Sequence, residues 1–356
     1  MAYDPVDSFG PSSLPDRVAA AERGGQRRVR AVADSFHLLH EARIDDRTAA
    51  ALDAAMRAAV AGVEATLRAQ AARLLTARGD AAAAQAVASG PSLFDAVVRA
   101  GLFRDAALFG ELFARVRLAA LSAAMPLTPN ESGDRPTMLA RLVQASDRLV
   151  SAAAVAMLAA EARRAAPAQP HADLPRAMQG RMAWWVAAAL RAQADAGVAT
   201  LLDLVIGDAV RRATDRQGAS VAPEVAAMRL AHAIDPVPEQ LPPLLEEAIE
   251  EAHLPLFLAI AARGAGLEYE RMRDLLIDRD DSRLCVVLRA LGLERATIAR
   301  IGYALCAADA GRDVAAFAAG LDAVMAVTPE AATAALMPIS LDPEYHVALL
   351  ALDGAR

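Results

Sequence analysis

No lysine occurs in this chain, so all 37 basic residues are arginine. The absence excludes a Walker A phosphate loop and any Schiff-base or pyridoxal lysine, because both chemistries need the ε-amine itself. Aromatic residues make up only 4%, and runs of β-branched residues are equally scarce. Strands draw on both, so a β-rich fold is disfavoured. The two cysteines, Cys285 and Cys306, form no CxxC pair. They read as small buried core residues rather than as a disulfide or metal ligands. The longest apolar stretches, 149–160 and 182–190, are too short to span a bilayer. The first residues include Asp4 and Asp7 and no apolar core segment. No signal peptide is therefore expected, and a cytoplasmic location is.

Catalytic signatures are missing too. There is no HExxH, no GxSxG and no GxGxxG between a strand and a helix. Asp278, Asp280 and Asp281 begin like a calcium loop, but the glycine and glutamate such a loop requires further on are absent. Helix capping between two repeats is the reading for this run. No cofactor, no metal site and no enzymatic activity are expected. The net charge of −7 disfavours a general binder of nucleic acid or anionic membrane.

What is present is alanine, together with leucine and valine at helical spacing. Alanine is the best helix former and lets helices approach closely, so the fold class expected is all-α. Five times an apolar run meets a glycine and restarts with leucine or valine, at Gly101, Gly197, Gly266, Gly292 and Gly320. An arginine lies just upstream of three of them: Arg99, Arg263 and Arg289. Glycine closing one helix before an apolar residue opens the next is how a helical hairpin turns. The two best copies, LFLAIAARGAGLE and LCVVLRALGLE, superpose at a spacing of 292 − 266 = 26 residues. The expected architecture is helical hairpin repeats, an α-solenoid of HEAT-like type, preceded by longer bundle-type helices.

Composition divides the chain. Residues 1–24 are rich in Pro, Ser and Gly and read as a tail. Residues 25–165 read as an N-terminal helical bundle, 166–175 as a proline-rich linker and 176–356 as the helical-repeat region. The clearest helix carries Leu52, Met56, Val60, Val63, Leu67 and Leu74 on one stripe and ends at Gly79. Single long helices are expected over 102–124, 138–165 and 198–216, and short ones follow one another from Leu244 to Leu352.

Several residues stand out as candidates for contact with other molecules. Glu246, Glu247, Glu250 and Glu251 sit on one helix, opposite Leu244, Leu245, Ala248 and Ile249. Like charges one turn apart repel, so the strip is either a solvated face or an acidic docking surface. Arg27 and Arg28, with Arg23 and Arg30, form the one basic cluster, either a charged helix start or a contact for phosphate or an acidic partner. Trp184 leans off the face made by Met178, Met182, Trp185 and Ala189. Packing against a second helix is its first reading, exposure at an interface its second. His37 and His40, in FHLLHEAR, read as structural histidines or as phosphoacceptors.

The segment LDAAMRAAVAGVEATLRAQAARLL, with Arg68 and Ala72 in its second half, resembles the first long helix of an uncharacterised bacterial family of all-helical, HEAT-like repeat proteins, a domain of unknown function. Residues 256–293 resemble that family's later helical pairs, with Arg289 where those repeats carry asparagine, and Pro91–Gly101 is a further match. The resemblance implies a helical scaffold and supplies no catalytic residue. The function expected is a non-enzymatic interaction or regulatory scaffold that binds a protein or peptide on a helical-repeat surface. Two alternatives are a nucleic-acid-binding repeat protein using Arg211, Arg212 and Arg216, and a signalling protein with a phosphoacceptor histidine. A homo-oligomer is compatible with any of these.

Overall fold

The computed structural model describes residues 46–126, 136–165, 174–217 and 222–336, together with Tyr345 and Leu352. Among them are seventeen α-helices and two short 3-10 turns, and no strand. The fold is all-α. The expected tail and residues 25–45 of the expected bundle lie outside the described residues. So do most of the expected linker and most of the last expected helix.

Contacts sort the chain into two units that interleave along the sequence. One comprises the described residues up to Val116 and those of Ala159–Pro223; the other comprises those of Arg117–Leu158 and from Glu224 onward. Residues 176–217, which composition groups with the C-terminal half, pack with 46–116.

The first unit is organised by α1 (Asp46–Ala77), followed by α2 (Ala81–Ala88), α3 (Phe94–Ala100), α7 (Arg176–Gln193), α8 (Ala196–Asp203) and α9 (Ile206–Gln217). All five pack on α1. Leu52, Met56, Val60, Val63 and Leu67 are buried, as their spacing predicts. The stripe then drifts to Ala71 and Leu75 and leaves Leu74 half-buried. A 3.6-residue helix slides off a strict four-residue step. α1 closes with Asp80 N–H bonded to Leu75 C=O at 3.0 Å and Gly79 at φ 90°, a Schellman cap in which glycine avoids the Cβ clash.

Arg68 joins this unit's pieces. Its Nε bonds Glu64 at 2.8 Å, one terminal nitrogen bonds Val87 C=O at 2.6 Å, and the other bonds Pro91 C=O at 2.7 Å. Glu64 in turn accepts the Leu93 N–H at 3.0 Å. The α2–α3 connection is thus held on α1 by one buried ion pair whose groups find backbone partners.

The second unit contains the end of α4 (Ala106–Ala124), α5 (Met138–Val143), most of α6 (Arg148–Ala165) and all but the first residue of α10 (Pro223–Ile234). It continues with α11 (Leu241–Glu250), α12 (Leu254–Ala265), α13 (Tyr269–Ile277), α14 (Ser282–Ala290), α15 (Arg295–Ala308), α16 (Val314–Met325) and α17 (Pro329–Ala335). Nine consecutive residues of α12, Leu254–Ala262, are buried. A helix that is apolar all round lies inside a core. α12 packs on α11, α13 and α14; α14 also meets α16 and α17; and α11 meets α15.

Three of the five glycine hinges are where the sequence places them. Gly101, Gly266 and Gly292 have φ of 94°, 64° and 76°, and Leu267 and Leu293 N–H close matching Schellman bonds to Ala262 and Leu288 at 2.9 and 3.2 Å. Gly197 and Gly320 are corrections. Gly197 lies in the first turn of α8, whose break comes earlier at Ala194–Asp195, and Gly320 lies inside α16. Neither has a left-handed φ, and a Cβ at either would meet open space.

Three helices expected as single are broken, two of them at an unread cap. The 102–124 segment is a 3-10 turn and then α4, with Asp105 accepting Ala107 and Leu108 N–H at 3.0 and 3.1 Å. The 138–165 segment divides into α5 and α6 at Asp147, which accepts Leu149 N–H at 2.7 Å, while Ser151 Oγ bonds Val143 C=O at 2.6 Å. The 198–216 segment breaks between α8 and α9 at Leu204–Val205.

Candidate interaction site

The acidic strip lies on α11, in the second unit. LPPLLEEAIEEA starts with prolines in the first helical turn, where the missing N–H costs nothing. Leu241, Leu245, Ala248 and Ile249 are buried, so the acids face away from the core. Three of the four are then engaged. Glu247 takes both terminal nitrogens of Arg141 at 2.6 and 2.5 Å. Glu251 accepts the Met138 N–H at 2.8 and 3.0 Å and lies 3.5 Å from His253. Glu246 pairs with Arg300 of α15. Arg141 and Arg300 offset part of the repulsion inherent in the sequence. Glu250 is exposed and has no ion pair or side-chain hydrogen bond among the described residues.

Between α11 and α15 lies a cleft of about 280 Å³. Ile249 and Ile301, both buried, and half-buried Ala304 provide its apolar base. Glu246, Glu250 and Arg300 provide its charged lining. Sequence reasoning singled out the glutamates but not Arg300, Ile301 or Ala304, which are brought to α11 by a helix some fifty residues further on. No local pattern marks them.

A second charged assembly is internal. Asp309 accepts Arg117 at 2.6 Å, the Gly311 N–H at 3.0 Å, and Arg279 at 3.4 and 3.5 Å. Arg312, whose side chain is 0% exposed, bonds Asp281 and Leu276 C=O and lies 3.9 Å from Asp309. Arg283 bonds Asp278 at 2.5 Å. The Asp278–Asp281 run therefore holds arginines; Asp280 accepts Ser282 N–H at 3.1 Å, while Asp281, the N-cap residue of α14, makes no side-chain capping bond. Burial pushes the Asp309 carboxyl up, but the hydrogen bond and charge of Arg117, helped by Gly311 and Arg279, outweigh it and hold the group below its ordinary range. Burial first, and then the charge of Arg117, lowers Arg312 to about 10, so it stays charged at neutral pH.

Beside this network is a cavity of about 100 Å³ lined by Arg279, Asp281, Cys285, Asp313 and Phe317 among others. Burial pushes the Cys285 thiol up to about 12, which keeps it un-ionised and a poor nucleophile. Cys285 and Cys306 are both free and buried. No group of three or more potential metal ligands occurs among the described residues.

Trp184 is 51% exposed on α7, so its first reading, burial, is corrected. Its helix already presents Met182, Ala183 and Val186 to the core, and neighbouring positions on a helix point about 100° apart. Arg211 pairs with Asp208, and Arg212 is exposed on the same helix as Asp208 and Asp215. The charge on α9 is mixed, not single-signed. The side chain of Arg216 is outside the described residues, as are Arg27, Arg28, His37 and His40. Arg289 donates from Nε to Val327 C=O at 2.9 Å, in the turn between α16 and α17.

No single helix among the described residues is long and apolar enough to cross a membrane. No family model matches this chain, and no curated protein or solved structure is detectably similar to it.

Proposed function

We propose that this protein is a non-enzymatic interaction scaffold that binds a protein or peptide on its helical surface. The observation that carries the reading is the α11–α15 cleft, where apolar side chains lie beside Glu250, a carboxylate with no ion pair among the described residues. Concave apolar surfaces with a few polar groups at their edge are where ligands and helical or extended segments dock. Part of the surface would be built as a HEAT-like repeat. Support comes from the matching caps at Gly266 and Gly292 and from alternate-helix packing, α12 on α14 and α14 on α16. The contacts of α11 with α15 and of α14 with α17 go beyond nearest-neighbour stacking.

Affinity purification of the whole chain from its native cell, with mass spectrometry of what co-elutes, tests the reading. A reproducible stoichiometric partner is expected. Recovery of the chain alone, under conditions that preserve weak complexes, would remove the basis for the proposal.

A further inference from the structure

We draw no further inference here: the strongest candidate, the exposed apolar patch that Leu149, Val155 and Leu158 form on α6, is an unpartnered helix face, and nothing in the structure shows what covers it.

Discussion

Arg68 and Arg312 are both buried, one in each unit, and they are accommodated in different ways. Arg68 pairs with a glutamate one turn back on its own helix and donates its remaining N–H groups to two backbone carbonyls, Val87 in the last turn of α2 and Pro91 in the connection that follows. Arg312 sits among Asp281, Asp309, Arg117 and Arg279, contributed by segments far apart in the chain. A self-contained pair can be removed as a pair. A network cannot, because each charge is shared, and deleting one member strands several others.

The largest effect is expected from Arg312→Met. It leaves Asp281 and Asp309 buried with one fewer cation, a loss of about 3–5 kcal/mol, to be read from urea unfolding followed by circular dichroism. Arg68→Met should cost a comparable amount alone. The comparison sharpens with the doubles: adding Glu64→Gln to Arg68→Met should restore about half of the loss or more, whereas adding Asp281→Asn to Arg312→Met should restore little. Equal recovery in both would mean that the two sites are alike after all.

Next comes packing. A Cβ at Gly302 would land in the Phe317 ring, which also meets Tyr303 edge-on at 5.4 Å between centroids. Gly302→Ala should cost about 1–3 kcal/mol through overpacking, while the same change at Gly320, with open space around it, should be neutral or slightly stabilising, by about 0.5–1 kcal/mol as glycine leaves a helix interior. A neutral result at Gly302 would contradict the close approach of α15 and α16.

A smaller effect concerns acidity. Asp309 is held below its ordinary value in the folded state. Its contribution is therefore present above the unfolded carboxylate pKa, about 3.9, and is lost as pH falls through the depressed folded value. Stability measured from about pH 6 down to about pH 2 should fall more steeply for the parent than for Asp309→Asn. Parallel curves would show that Asp309 does not carry this linkage.

The smallest expected change is a gain. Ala252 ends α11 at φ 58°, in the position glycine takes after α12 and α14, with His253 N–H bonded to Ala248 C=O at 2.8 Å. Left-handed alanine is strained by about 1 kcal/mol, so Ala252→Gly should stabilise by roughly half that once the entropy of glycine is counted. Thermal unfolding would detect it, and a loss of stability would place the strain elsewhere.

The helices were legible wherever composition and spacing spoke locally. The α1 stripe, the caps at Gly79, Gly266 and Gly292, and the burial of Cys285 could all be read from neighbours in sequence. Misreadings arose where a polar residue outweighed apolar continuity. Asp105 and Asp147 cap helices that look unbroken, since one side-chain oxygen is enough to satisfy a helix start. Gly197 and Gly320 lie in helices because alanine-rich surroundings tolerate a glycine at about 1 kcal/mol. The acids of the site were visible, but their partners were not: Glu247 meets Arg141 and Glu246 meets Arg300 only once distant helices pack.

Sequence alone determined that the chain is helical, because alanine and apolar periodicity act over a single turn. It also determined where several of those helices stop, because a left-handed corner selects glycine. Tertiary packing alone decided that residues 176–217 share a core with 46–116, that Arg312 is enclosed, and which of the four glutamates meet Arg141 and Arg300. Those outcomes depend on long-range contacts, and a charge has no preference for one distant partner over another until the backbone has brought one within reach.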